Sequence, residues 1–176
     1  MRETKQKIFL IGFMGTGKSE IAKKLGQMTN FSIADTDGLA EEAMGDSISK
    51  IFQEKGELYF RNIETQVLND VANWDKYVIS CGGGLPLKEE NREIMKSAGK
   101  VVLLTASAQT ILDRVKNNTD RPLLAGKMNI EYIETLMKQR EAAYANAADV
   151  VISTDNKSVL VICQEIMKNF EWLKGV

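Results

Sequence analysis

The chain has 176 residues, of which 44% are hydrophobic and 27% are charged, and its formal net charge is −1. This length suits one α/β domain with a full core and is short for two, and the balanced charge gives no indication of a nucleic-acid-binding face. Because histidine is absent and only two cysteines occur, histidine acid–base catalysis and histidine metal ligands are excluded, and neither a disulfide framework nor a zinc site is indicated.

Five short apolar runs along the chain are predicted to be β-strands. They lie at Lys7–Ile11, Phe31–Ala34, Tyr77–Cys81, Lys100–Thr105 and Asp149–Ser153. Amphipathic stretches with helical spacing lie near residues 18–28, 48–72, 88–97, 107–116, 129–146 and 158–173. This alternation predicts a mostly parallel sheet with helices on both faces, a class of fold in which ligands bind at the carboxyl ends of the strands.

A glycine-rich segment follows the first predicted strand directly. It reads Gly12-Phe13-Met14-Gly15-Thr16-Gly17-Lys18-Ser19, which matches the pattern G-x-x-x-x-G-K-S between a buried strand and an amphipathic helix. Its glycines let backbone N–H groups face phosphate oxygens, and the N-terminus of the next helix adds a partial positive charge. Lys18 is expected to reach the β- and γ-phosphates, and Ser19 to bind Mg²⁺. The alternative is a flexible turn with an incidental lysine; the surrounding strand and helix favour a nucleoside triphosphate site.

Two aspartates stand at the end of the second predicted strand, in the sequence Asp35-Thr36-Asp37. Carboxylates at such a position can orient Mg²⁺-bound water and accept hydrogen bonds from a substrate hydroxyl. Aspartate in this place is more often the N-cap of a helix. Taken alone, the motif leaves both interpretations open.

Residues 37–72 form a long, mostly helical excursion between the second and third strands, which we interpret as an insertion that covers a site. Within it, Arg61 and Glu64 are three residues apart and share a helix face, so Glu64 can hold the guanidinium in place. A fixed arginine suits a carboxylate ligand, because its fork makes two parallel hydrogen bonds. The alternative is a solvated surface ion pair, which is the usual outcome of this spacing.

Three successive glycines, Gly82, Gly83 and Gly84, follow the third predicted strand. They allow a ligand to lie against bare backbone, whereas a plain turn would need only one glycine. Just before them, Ser80 is placed to help hold Mg²⁺ through water. Cys81 is interpreted as a small buried residue, since nothing nearby would activate a thiolate.

Residues 117–128 are polar, contain proline and glycine, and carry one arginine, Arg121. Enzymes that transfer phosphoryl groups use lids to keep water from the γ-phosphate, which favours a lid here. An ordinary helix–helix connection fits the composition equally well. A further arginine, Arg140, lies on the later helix, and either arginine alone could be a surface residue.

Together these motifs resemble those of the shikimate kinases. The set is G-x-x-G-x-G-K-S, D-T-D, G-E-x-x-F-R-x-x-E, G-G-G, R-P-L-L and L-M-K-Q-R-x-x-x-Y, in the order of the family and over roughly residues 6–170. The resemblance implies one domain, residues 1–176, with an α/β three-layer P-loop NTPase fold: a five-stranded parallel sheet flanked by helices, a substrate-binding helical region at 37–72 and a lid at 117–128. It also implies ATP-dependent phosphorylation of shikimate to shikimate 3-phosphate, a step towards chorismate and the aromatic amino acids.

The family's functional residues are carried over by position. The resemblance implies that the catalytic residues are Lys18, Asp37 and Arg121. It implies ATP contacts at Gly15, Thr16, Gly17, Lys18, Ser19, Glu20, Arg114 and Arg121. It implies shikimate contacts at Asp37, Arg61, Gly82, Gly83, Gly84 and Arg140, and Mg²⁺ contacts at Ser19 and, through water, Asp35. In this assignment Asp37 binds ring hydroxyls, Arg114 lies along the adenine, and Arg121 closes with the lid onto the phosphates.

The loop after the last predicted strand departs from the family. It reads Thr154-Asp155-Asn156-Lys157-Ser158, without the proline that members often place against the adenine. We therefore expect the backbone or the stem of Lys157 to contact the base.

Three other functions use the same kind of phosphate loop. A gluconate kinase would share it, but an acyclic polyol acid does not explain the full motif set. A nucleoside monophosphate kinase fits less well, because Asp35, Arg61 and Arg140 suit a small hydroxy acid better than a base and ribose. A regulatory protein that binds ATP or shikimate without turnover is disfavoured, since Lys18, Ser19, Asp37 and Arg121 are all present.

The partner and location of the chain are also expectations at this point. No apolar run approaches the length of a membrane span, and residues 1–7 lack the apolar core of a signal peptide, so we expect a cytoplasmic protein without membrane or nucleic-acid partners. The sequence shows no heptad seam, and members of the family are commonly monomeric, so a monomer is expected.

Overall fold

The computed structural model describes residues 6–116 and 129–173, and within them five parallel strands form one sheet in the order β2-β3-β1-β4-β5. The strands are β1 (Lys7–Ile11), β2 (Ser32–Asp35), β3 (Tyr77–Ser80), β4 (Lys100–Thr105) and β5 (Val150–Ser153). Each strand predicted from the sequence is present, with bounds that differ by at most one residue, and the prediction of a parallel α/β sheet is confirmed.

Helices connect the strands. They are α1 (Lys18–Thr29), α2 (Thr36–Met44), α3 (Ile48–Lys55), α4 (Glu57–Val71), α5 (Glu89–Ala98), α6 (Ala108–Val115), α7 (Ile130–Ala147) and α8 (Val159–Asn169), with 3₁₀ turns at Leu85–Leu87 and Glu171–Leu173. The helical pattern predicted near residues 48–72 is present as two helices, α3 and α4. It divides at Gly56, whose φ of +82° favours glycine and interrupts the helix.

The sheet has a hydrophobic core on each face. Successive residues of the central strand β1 point to opposite sides, so that Ile8 and Leu10 enter one core while Phe9 and Ile11 enter the other. All four side chains are fully buried. Burial on both faces explains why the inner strands β1, β3 and β4 read as apolar runs rather than as an alternating pattern.

A third, smaller cluster holds α2, α3 and α4 together and includes Ala40, Ile51 and Phe60. The C-terminal end of α4 is fixed by Lys7, whose buried ammonium donates hydrogen bonds to the carbonyls of Val71 (3.2 Å) and Ala72 (2.5 Å). A cation is favourable at this end of a helix, where the carbonyl groups carry partial negative charge. The helix that carries Arg61 is therefore anchored at both ends.

The carboxyl ends of the strands all face the same edge of the sheet, as they must in a parallel arrangement. The predicted site residues of the described segments lie there or on the helices that cover it. Residues 117–128, the predicted lid with Arg121, fall outside the described residues. In residues 6–116 and 129–173, no helix is both long enough and apolar enough to serve as a membrane span.

Candidate active site

The loop between β1 and α1 has the backbone of a phosphate-binding loop. Gly15 and Gly17 have φ values of +79° and +89°, which non-glycine residues rarely adopt, and a Cβ on Gly12 would overlap the carbonyl oxygen of Leu104. Lys18 begins α1, and its ammonium donates to the carbonyls of Gly12 (2.8 Å) and Phe13 (3.1 Å). The lysine thus lies over the loop, with its charge close to the N-terminus of α1.

Three oxygen-bearing side chains meet where α1, β2 and β3 come together. The Ser19 hydroxyl lies 3.2 Å from Oδ2 of Asp35 and 3.4 Å from the Ser80 hydroxyl. The other carboxylate oxygen of Asp35 accepts hydrogen bonds from the backbone N–H groups of Asp37 and Gly38, both at 3.1 Å, and so caps α2. One carboxylate therefore serves as the N-cap and also faces the phosphate loop, so the two interpretations of Asp35 are compatible.

The three glycines after β3 are packed against side chains of the chain itself. A Cβ on Gly82 would overlap the carboxylate of Asp37, and one on Gly84 would overlap the guanidinium of Arg61. At Gly83 an added Cβ would lie 3.3 Å from Nη1 of Arg140. The glycines were predicted to let a ligand approach bare backbone. In the structure, the absence of side chains at these glycines lets Asp37, Arg61 and Arg140 pack against the same loop.

Arg61 is held by two carboxylates and lies beside two aromatic rings. Its Nη1 donates to Glu64 at 2.7 Å and its Nη2 to Glu57 at 2.9 Å. The guanidinium carbon is 5.9 Å from the centroid of the Phe52 ring and 5.6 Å from that of Phe60. Burial opposes the charge of Arg61, but the two glutamates outweigh it and raise the pKa of the guanidinium.

Glu64 lies within the site and is not part of a surface ion pair. Its side chain is 1% exposed. Burial, and to a smaller degree the charge of Asp37, raises the pKa of Glu64 even though Arg61 and Arg140 favour its charged form. The interpretation of Arg61 and Glu64 as a solvated pair is therefore wrong.

Replacing Glu64 by glutamine is expected to remove a pH dependence from the free energy of unfolding. Because the pKa of Glu64 is higher in the folded protein than in the unfolded chain, its contribution to stability is complete below the unfolded pKa and is lost as the pH rises through the folded pKa. The unfolding free energy of the original chain minus that of Glu64→Gln should therefore fall with rising pH, just above the ordinary glutamate range. Urea titrations over a pH series measure it, and a difference that increases with pH would contradict the assigned shift.

Arg140 and Tyr144 are four residues apart on α7 and are both buried, with 7% and 5% of their surfaces exposed. The Arg140 guanidinium carbon is 5.5 Å from the centroid of the Phe13 ring in the phosphate loop. The Tyr144 hydroxyl donates to the Gly83 carbonyl at 2.7 Å. The possibility that Arg140 is an ordinary surface arginine is excluded by its burial.

Arg114 joins the phosphate loop to the loop after β5. Its Nη1 donates to the carbonyl of Gly15 (2.9 Å) and to the hydroxyl of Thr154 (3.2 Å). In the second loop, the carboxylate of Asp155 accepts from the backbone N–H of Ser107 (3.0 Å to Oδ2). The ammonium of Lys157 pairs with Glu165 at 2.8 Å, which directs the head of this lysine towards α8.

The structure thus brings together most of the residues singled out in the sequence. Thr16 is buried in the phosphate loop and Glu20 is exposed in the first turn of α1. Cys81 is buried, and burial raises the pKa of its thiol, as expected for an inert residue.

Two contacts within the site were not predicted from the sequence. They are the hydrogen bond from Tyr144 to the Gly83 carbonyl and the hydrogen bond that the Thr36 hydroxyl accepts from the Gly82 N–H at 2.8 Å. A polar residue one helical turn after Arg140 was the available signal for Tyr144.

Comparisons with known proteins agree on one family. A family model described as shikimate kinase matches residues 14–171. Relatives named shikimate kinase include one from Sulfurihydrogenibium sp., 42% identical over 91% of this chain and 95% of the relative, and one from Dehalococcoides mccartyi, 40% identical over 93% of each. Among solved structures, shikimate kinase from Acinetobacter baumannii in complex with shikimate has a TM-score of 0.91 at 31% identity, covering 99% of this chain and 97% of that one. Shikimate kinase from Aquifex aeolicus has a TM-score of 0.82 at 35% identity, covering 94% and 96%.

Proposed function

The chain belongs to the shikimate kinase family, and we infer that it transfers the γ-phosphate of ATP to shikimate, giving shikimate 3-phosphate and ADP. The observation that carries this inference is the convergence of Asp37, Arg61 and Arg140 on the Gly82–Gly84 loop, next to a phosphate-binding loop. A carboxylate and two arginines at that place suit a small acid with hydroxyl groups. The family match over most of the chain supports the same substrate.

We propose that the arginines bind the carboxylate of shikimate and that Asp37 binds its ring hydroxyls. Arg61 and Arg140 supply planar forks of N–H donors, which match a carboxylate in geometry as well as in charge. Asp37 is half-buried in the first turn of α2 and lies against Gly82, near Glu64. It is the best-placed acceptor for a hydroxyl proton in a chain without histidine.

Transfer of the phosphoryl group needs positioning and charge stabilisation more than a strong base. We propose that Lys18 stabilises charge on the transferring group, while the loop amides from Gly15 to Ser19 hold the phosphates and Glu20 lies at the edge of this site. Arg114, which bridges the phosphate loop and Thr154, is placed to line the adenine site. With no proline in residues 154–158, the backbone of that loop and the stem of Lys157 are the proposed contacts for the base.

The donor set formed by Ser19, Asp35 and Ser80 fits Mg²⁺. Hydroxyl and carboxylate oxygens are hard ligands, and Mg²⁺ in kinases is commonly held by one or two protein groups together with substrate phosphates and water. Within the described residues there is no cluster of three or more histidine, cysteine, aspartate or glutamate side chains that would make a stronger metal cage. We propose that Ser19 binds the ion directly and Asp35 through water, and the ion would neutralise phosphate charge.

Arg121 lies in the proposed lid, and its removal is expected to lower kcat with little change in the affinity for shikimate. A cation that reaches the phosphates only when the lid closes would act mainly on the transition state. Steady-state kinetics of Arg121→Ala, with each substrate varied in turn, measure this. A variant whose kcat is retained while its shikimate binding weakens would make Arg121 a substrate ligand instead.

The position of the transferred phosphate tests the proposed reaction. Product from a large-scale incubation with ATP and Mg²⁺ is expected to show, in phosphorus–proton correlation spectra, coupling between phosphorus and the ring proton at carbon 3. Phosphate attached elsewhere on the ring, or inorganic phosphate alone, would overturn the assignment.

A cytoplasmic location and a monomeric state remain predictions, which cell fractionation and light scattering would test.

A further inference from the structure

Tyr144 lies between two groups of the proposed acceptor site that come from distant parts of the chain. Arg140 precedes it by four residues on α7, so the two side chains share one helix face. Gly83 belongs to the loop after β3, sixty-one positions away in sequence. The tyrosine is 5% exposed and is therefore a buried connection between helix and loop.

The hydroxyl of Tyr144 lies between the Gly83 carbonyl and the Arg140 guanidinium. It donates its one proton to the Gly83 carbonyl at 2.7 Å, which leaves its oxygen free to accept. The guanidinium of Arg140 lies beside the same peptide, since a Cβ added to Gly83 would lie 3.3 Å from Nη1 of Arg140 and 3.7 Å from the Tyr144 oxygen. Burial raises the pKa of Tyr144, and the nearby positive charge of Arg140 offsets this only in part, so the phenol keeps its proton at neutral pH.

We propose that Tyr144 is a positioning residue for the acceptor site, whose hydroxyl fixes the Arg140 guanidinium relative to the Gly83 peptide. The inference rests on the proposed function, because the group so positioned is the one assigned to the carboxylate of shikimate. The arginine side chain has several rotatable bonds, and holding its guanidinium in one geometry before the substrate arrives lowers the entropy lost on binding. Tyr144 acts through Arg140 and Gly83 rather than by touching the reacting atoms.

Replacing Tyr144 by phenylalanine removes one oxygen and leaves the ring in place. The KM for shikimate is expected to rise about 5- to 20-fold, as for the loss of a buried hydrogen bond, with kcat within about threefold and the KM for ATP unchanged. Tyr77→Phe is the matched control: its ring packs against Trp74 at 4.8 Å, at the amino end of β3 and far from the site. This control should leave both KM values unchanged.

A second pair of variants separates positioning from general stability. In an Arg140→Lys background, Tyr144→Phe is expected to raise the KM for shikimate by less than twofold, because the group that it positions is already absent. An unchanged shikimate KM in the single variant, or equal effects in both backgrounds, would overturn the proposal and leave Tyr144 with a structural role. If the original chain does not turn over shikimate at all, the proposed function fails and this inference fails with it, an outcome visible before any variant is compared.

Discussion

Asp37→Asn is expected to lower kcat by at least about a hundredfold, with a much smaller change in the KM for ATP. Positioned general bases contribute roughly 10²–10⁴ in rate, and the asparagine amide has the same shape but cannot take a proton. In the structure, Asp37 lies in the first turn of α2 against Gly82, where no side chain separates its carboxylate from the loop. Steady-state kinetics with shikimate at saturating ATP measure the effect.

The matched control for this variant is Asp70→Asn. Asp70 is exposed in the last turn of α4, next to the Val71 and Ala72 carbonyls that bind Lys7 and at the opposite end of the helix from Arg61. The same chemical change there should leave kcat unaltered. A loss of less than tenfold in Asp37→Asn would remove Asp37 from the role of base and leave it as a group that orients the hydroxyl.

Arg61→Lys is expected to raise the KM for shikimate by about 10- to 100-fold. Hydrogen bonds to charged groups contribute roughly 1.5–3 kcal/mol, and each 1.4 kcal/mol is a tenfold change in binding. Lysine keeps the charge, but its ammonium is a single point and cannot bond Glu64 and Glu57 while also presenting a planar fork to a ligand. The contacts of Arg61 with the rings of Phe52 and Phe60 would also be lost.

The KM for ATP serves as the internal control for Arg61→Lys, since the residue lies on α4 and the proposed nucleotide contacts lie elsewhere. It should stay within about twofold of the original value, because the interactions removed are with the acceptor alone. Thermal unfolding of the variant shows whether the fold is retained. A shikimate KM equal to that of the original chain would place Arg61 outside the acceptor site.

The sheet and the phosphate loop could be predicted because their signals are local. Strands buried on both faces read as short apolar runs, and the glycines of the loop occur at the positions where the backbone needs a positive φ. The 48–72 segment has the predicted helical character, and its division into two helices depends on the backbone conformation of Gly56. Helix α2 was not delimited, although its N-cap, Asp35, had been recognised as a possible cap.

The site was harder to predict where it depends on tertiary contacts. Arg61 and Glu64 are neighbours on one helix, so their pairing was visible in the sequence, but the burial of Glu64 was not. The glycines after β3 indicated that some group packs closely against this backbone, but the sequence did not identify that group. That Arg61 covers Gly84, and that Tyr144 reaches Gly83, follows only from the packing of α4 and α7 against the loop.

Release of ADP tests the claim that this chain phosphorylates shikimate. Purified protein would be incubated with ATP and Mg²⁺ in parallel with shikimate, gluconate, quinate or no acceptor. We expect turnover with shikimate far above that with the other acceptors or with none. Equal, low release of ADP in every reaction would contradict the claim and leave a nucleotide-binding fold with a different acceptor.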